Sequence, residues 1–199
     1  NYKIIRLMIK IGILGDIGSG KTFIAKKFGY PVFNADLEVN KIYKKNKIIY
    51  KKLKKKIPKY IYSFPIKKKE IGNAILGKKN NLNKIIKIIH PIIRTKMNFF
   101  FKKNKNKKIV ILDIPLLIEN KLNKKNYILI FVQANKKDIL RRLKKRKNYN
   151  PKLFSKLRKL QLSLEIKKRK SNYVIKNNFK SFSIIKSVKI LKESILKKW

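Results

Sequence analysis

Residues Met8–Thr22 read MIKIGILGDIGSGKT, and the fold is decided here. MIKIGIL, Met8–Leu14, is an apolar run broken by one lysine, as a strand buried on both faces requires. GDIGSGKT, Gly15–Thr22, fits G-x-x-x-x-G-K-[ST] at every position, and Thr22–Phe28 follows with helical spacing and a stop at Gly29. Gly15, Gly18 and Gly20 let backbone N–H groups converge on a phosphate where a Cβ would stand in the way. Lys21 is placed to reach the β- and γ-phosphates and Thr22 to offer its hydroxyl to Mg²⁺. The helix N-terminus adds the positive end of its dipole. In so lysine-rich a chain the Gly-Lys pair alone carries little weight. The strand before it and the helix after it do, and together they predict a P-loop that binds ATP with Mg²⁺.

Working outward, 199 residues fit one domain with a small insertion. A hydrophobic fraction of 44% is enough to build a core. The absence of cysteine excludes a disulfide scaffold, a thiolate metal site and a cysteine nucleophile. The longest apolar runs fall far short of the roughly 20 residues of a spanning helix, and no cleavage site follows the basic N-terminus. A cytoplasmic protein with no membrane partner is expected, with residues 1–7 as an upstream extension. The net charge of +47 would ordinarily point to nucleic acid. Here lysine is spread along the whole chain beside abundant Ile, Asn, Tyr and Phe, the signature of an AT-rich coding sequence. No specific nucleic-acid partner is expected. Against that background the nine acids, and the seven arginines among 56 basic residues, are the informative positions.

Further strands are read at Tyr30–Phe33, Lys108–Leu112, Tyr127–Val132 and Asn172–Ile175. Helices are read at Lys136–Lys147, Lys152–Lys170 and Ser183–Lys197. Apolar strands alternating with helices predict an α/β fold, a five-stranded parallel sheet flanked by helices. Lys41–Lys105 is helical in pattern, with breaks at Pro58, Pro65, Gly77 and Pro91, and is too long for a simple crossover. The expected organisation is one domain over 8–199. Its core is 8–40 and 106–199, with a helical insertion at 41–105 and a lid at 136–170.

Four further segments resemble dephospho-CoA kinases. They are PVFNAD (Pro31–Asp36), IHPIIR (Ile89–Arg94), DIPLLIE (Asp113–Glu119), and a closing pattern of RRLKKR (Arg141–Arg146), Gln161 and SNYVIKNN (Ser171–Asn178). Order and spacing agree from Met8 to about Leu196. The Pro-Leu-Leu-x-Glu segment is the most specific of the four. The resemblance implies a P-loop kinase fold with a helical substrate domain and a lid. It also implies ATP-dependent phosphorylation of the ribose 3′-hydroxyl of dephospho-CoA, by a monomer or weak oligomer. Another small-molecule kinase shares everything up to Thr22, but not the Pro-Leu-Leu-x-Glu and His-Pro segments.

Asp36, just past the second strand, can take the proton of the attacking hydroxyl or cap the next helix, as can Asn34. The resemblance favours the first and makes Asp36 catalytic, with Lys21 and Arg142. Asp113 ends the third strand as a magnesium-holding acid beside Thr22, or as a strand-end acid. Arg142 and Arg146, one helical turn apart, read as a phosphate clamp on a lid or as a solvated face. The resemblance places Gly15, Gly18, Ser19, Gly20, Lys21, Thr22, Phe23, Arg146 and Asn177 around ATP. Asn177 alone reads equally as a turn residue. On the substrate side stand Asp36, His90, Arg94, Leu116 and Glu119. His90 taken alone reads as a packed helix residue, and Glu119 as an acid that organises substrate or lid or binds backbone N–H groups. The chain departs from the family pattern at Asp16, a glycine there, and at Asn34, an aspartate there. It departs again at Lys68, usually arginine, and at Ser171-Asn172, usually Ala-Asp, and no glycine follows Asn178.

Overall fold

The computed structural model describes residues 8–78, 80–147 and 149–198; the expected extension at 1–7 lies outside them. Five strands form one sheet: β1 (Ile9–Gly15), β2 (Val32–Asn34), β3 (Ile109–Asp113), β4 (Ile128–Ala134) and β5 (Tyr173–Asn177). Their order is β2-β3-β1-β4-β5, and every pairing is parallel. The reason is compositional. β3 is buried at all five positions, so it must be covered on both faces, which parallel crossovers achieve.

Two compact units divide the chain. The first takes the chain up to Asn34, Lys103–Tyr149 and Arg158 onward; the second takes Ala35–Lys102 and Asn150–Leu157. In the first unit, helix α1 (Lys21–Lys27) with its C-cap Phe28, and helix α9 (Ser181–Lys198), bury Ile24, Phe28, Ile184 and Val188 in one cluster with Ile11, Ile13, Ile111 and Ile130. Each such side chain contributes about 1.5–3 kcal/mol of burial, so this cluster fixes where β1 ends and the loop begins. The unit also holds α6 (Lys136–Lys144) and α8 (Leu164–Arg169). β1 has β3 on one side and β4 on the other. The loop after it therefore leaves the carboxyl edge at a topological switch point, where open α/β sheets bind ligands.

The second unit contains α2 (Ala35–Lys45), α3 (Lys47–Lys56), α4 (Lys68–Gly77) and most of α5 (Asn81–Lys103) and α7 (Pro151–Arg158). Pro91, expected to break a helix, sits inside α5. Ile85, Ile89, Ile93 and Met97 recur every four residues and are all buried. Burying four such side chains outweighs the roughly 3 kcal/mol that an internal proline costs. The single helix expected at Lys152–Lys170 is two, α7 and α8, the second capped by Ser163, whose Oγ accepts Ile166 N–H at 3.2 Å. The helix expected from Lys41 begins at Ala35, directly after β2.

Among the described residues, no helix is long and apolar enough to cross a membrane.

Candidate active site

The phosphate loop owes its path to glycine. Gly18 and Gly20 have φ of 85° and 91°, in the left-handed region that side chains avoid. A Cβ at Gly20 would also stand 2.3 Å from Asn177 Nδ2. That amide donates to Ser19 O at 2.7 Å, while Asn177 Oδ1 accepts Phe179 N–H at 2.8 Å. Asn177 thus braces the loop from the end of β5 with both halves of its amide. Gly20 occupies the N-cap of α1 and no side chain caps that helix, which leaves its first N–H groups to a ligand. Ser19 is fully buried, and its Oγ has no hydrogen-bond partner. Lys21 Nζ donates to the carbonyls of Asp16 (2.7 Å) and Gly15 (3.2 Å), folding back along the loop it follows. Phe23 lies half exposed, with Lys27 Nζ 5.1 Å from its ring centroid.

Asp113, at the end of β3, is 4% exposed. Its Oδ2 accepts from Thr22 Oγ1 and from Asn34 Nδ2, each at 2.6 Å. The sheet register explains the meeting, since Asn34 and Asp113 are paired residues of β2 and β3. Asn34 stands directly before α2, and its amide nitrogen donates to this carboxylate. Aspartate at 34 would put two carboxylates where this chain has a hydrogen-bonded pair. Glycine cradle, lysine, threonine hydroxyl and buried carboxylate form a donor set that fits a magnesium–triphosphate group.

Beyond Asp113 the backbone turns sharply, with Leu116 at φ 59°, an uncommon conformation for a side chain of this size. Leu117 is 1% exposed and packs into the space left by Gly12, where a Cβ would meet Leu117 Cδ2 at 2.5 Å. Glu119 Oε1 accepts Leu162 N–H at 3.0 Å and pairs with the buried Lys167 at 3.0 Å. Lys167 Nζ also donates to Gln161 Oε1 at 2.8 Å. The break between α7 and α8 is what frees Leu162 N–H for Glu119.

Arg142 lies on α6 and stacks on Phe179, its guanidinium carbon 4.6 Å from the ring centroid. Arg146 does not share its helical face. The helix ends at Lys144, and Arg146 N–H donates to Leu143 O in the following turn. Both guanidinium groups are exposed. In the second unit, Asp36 is the second residue of α2 and exposed, two positions along the chain from Asn34. His90 and Arg94 are one turn apart on α5. Burial and the Arg94 charge hold the His90 imidazole below its ordinary pKa. Lys68 opens α4 and is exposed.

The sequence alone did not single out Phe179, Lys167 or the partner of Asp16. Arg158 Nε donates to Asp16 Oδ1 at 3.0 Å, and Arg158 Nη2 lies 3.0 Å from Asp16 Oδ2. The available signal was scarcity, one of few arginines and one of few acids.

The profile of the dephospho-CoA kinase family matches residues 9–182. A dephospho-CoA kinase of Wolbachia pipientis is 28% identical over 190 residues, 93% of this chain and 97% of the relative. One from Bartonella quintana is 31% identical over 170 residues, 83% of this chain and 87% of the relative. Among solved structures, a Thermus thermophilus protein superposes with a TM-score of 0.77 at 23% identity, covering 96% of this chain and 98% of that one. A shikimate kinase from Bacteroides thetaiotaomicron reaches 0.52 at 16% identity, covering 94% and 98%, a likeness of fold alone. With the family profile spanning most of its length and the phosphate loop, Asp113 and the Pro-Leu-Leu-x-Glu segment in place, this chain belongs to the dephospho-CoA kinase family.

Proposed function

We propose that this chain transfers the γ-phosphoryl group of ATP to the ribose 3′-hydroxyl of dephospho-CoA, releasing ADP and coenzyme A. The observation that carries the reading is the meeting of Thr22 and Asn34 on Asp113. It joins the end of the phosphate loop, the end of β3 and the end of β2 in one hydrogen-bonded cluster. Phosphoryl transfer leaves a protein little covalent chemistry, so positioning and charge stabilisation do most of the work.

Each residue then has a task. N–H groups at the end of the loop and the start of α1 hold the β-phosphate, and Lys21 leaves its loop carbonyls to meet the β- and γ-phosphates. Thr22 and Asp113 would hold Mg²⁺, which would supply positive charge to offset that of the phosphates. Asp36 follows two positions after Asn34, on the first turn of α2. Its carboxylate accepts the proton as the hydroxyl oxygen bonds to the γ-phosphorus and the bond to the ADP oxygen breaks. Arg142, backed by Phe179, and Arg146 offset charge on the transferring group. Phe23 and Asn177 belong to the nucleotide side, Asn177 through the loop that it braces. His90, Arg94, Leu116 and Glu119 belong to the acceptor side, the last through the turn that it ties to Leu162. The cytoplasm is the compartment that we assign to it.

The test is an acceptor screen. Purified protein with ATP and Mg²⁺ is offered dephospho-CoA, adenosine, AMP or a pantetheine derivative, and ADP release is followed. Dephospho-CoA should be the acceptor that sustains turnover. Preference for adenosine or AMP would contradict the reading.

A further inference from the structure

We infer that Arg158 is a positioning residue for nucleotide binding: it neutralises a carboxylate that this chain carries inside its own phosphate loop. The inference rests on the reading of that loop as the ATP site, and extends it to a residue outside the motif. Asp16 occupies the second position of the loop and is 6% exposed. Its Oδ1 accepts Ile17 N–H at 2.7 Å, so the carboxylate is folded onto the loop and takes one of its amides. A bare carboxylate there would repel an incoming triphosphate, and burial weakens solvent screening of that repulsion. Arg158 meets it with two contacts of 3.0 Å, Nε to Oδ1 and Nη2 to Oδ2. This bidentate fork is one that lysine cannot reproduce. In a chain where lysine is the default base, an arginine at this point supplies geometry as well as charge.

The pair is asymmetric, and that gives the inference its direction. The Asp16 side chain is 8% exposed and that of Arg158 51%. Removing the arginine strands a buried carboxylate beside the phosphates. Removing the acid leaves an arginine already half in water. Loss at Arg158 should therefore be felt by ATP and repaired at Asp16.

The experiment uses the full chain in five forms: wild type, Arg158→Gln, Arg158→Lys, Asp16→Asn, and the double variant Asp16→Asn with Arg158→Gln. Mg²⁺–ATP dissociation constants at low and high salt are read beside kcat, KM for ATP and melting temperature. Arg158→Gln should weaken ATP binding about tenfold at low salt, less at high salt, with KM moving more than kcat. Arg158→Lys, which keeps the charge, should lose only part of that. In the Asp16→Asn background the Arg158→Gln change should cost less than about twofold. Undiminished ATP binding by Arg158→Gln would overturn the inference. So would an equal loss with and without Asp16, which would make Arg158 a direct phosphate ligand. Wild-type protein that fails to bind ATP would instead overturn the nucleotide reading itself, and this inference with it.

Discussion

Asp113 in the first unit and Glu70 in the second are both buried carboxylates, 4% and 2% exposed. Their donors differ. Asp113 accepts from two side chains, the hydroxyl of Thr22 in the phosphate motif and the amide of Asn34. Glu70 accepts the backbone N–H groups of Tyr62 (3.0 Å) and Ser63 (3.2 Å), and the Ser63 hydroxyl. Backbone donors are needed wherever a loop is buried, so Glu70 fastens the segment that precedes α4. Side-chain donors that can exchange partners are what a metal or phosphate site needs. Burial alone does not separate a structural acid from a working one; the identity of the donors does.

That contrast is open to attack by substitution. The largest effect is expected at Asp36. Asp36 lies inside the first turn of α2 rather than at its cap, and Asp36→Asn keeps the side chain's size and polarity but removes the proton acceptor, so turnover should fall by ~10²-fold or more while ATP affinity and melting temperature stay near wild type. Near-normal turnover would reduce Asp36 to a helix-start residue. Asp113→Asn is next. It keeps an oxygen for Thr22 but loses the charge that holds Mg²⁺, and should lower turnover by about tenfold or more with a raised Mg²⁺ requirement. Glu70→Gln should do the reverse. Turnover at low temperature is preserved, and stability falls by about 1–3 kcal/mol as charge-assisted hydrogen bonds are weakened. A Glu70 variant that melts normally but turns over poorly would break the contrast.

The acid limb of stability sharpens the same point. Burial pushes the Glu70 carboxyl up, but the hydrogen bonds from Ser63 and from the Tyr62, Ser63 and Lys67 backbone outweigh it and hold the pKa below the ordinary value. A depressed folded-state pKa means stability that is present above about pH 4.3, the unfolded value, and lost as pH falls through the folded one. Glu38, held low against its own burial by Lys41 and Lys96, acts in the same direction. Glu70→Gln should therefore flatten the decline of melting temperature below that pH, without abolishing it.

Much of this was legible in the sequence where the physics is local. The run from β1 through Thr22 announces strand, loop and helix because each glycine, the lysine and the threonine do their work within a few residues. The five strands were legible as apolar runs, each to within two residues. Pro91 misled because a proline rule is local, whereas the burial that overrides it repeats along the whole of α5. Arg146 misled because helical spacing continues past Lys144 although the helix does not. The break between α7 and α8 was hidden for the same reason. Asp113 kept two readings in the sequence because its partners stand 91 and 79 residues away. The Asp16–Arg158 pair spans 142. Scarcity of acids and arginines marked such positions, but only the fold could pair them.

The most direct test of the central claim is where the phosphate goes. The wild-type chain is incubated with ATP, Mg²⁺ and dephospho-CoA, and the product is examined by phosphorus NMR. A single new phosphomonoester on the ribose 3′ carbon, formed one for one with ADP, is the predicted result. A new phosphoanhydride, an ester at another hydroxyl, or ADP without any new ester would contradict the account.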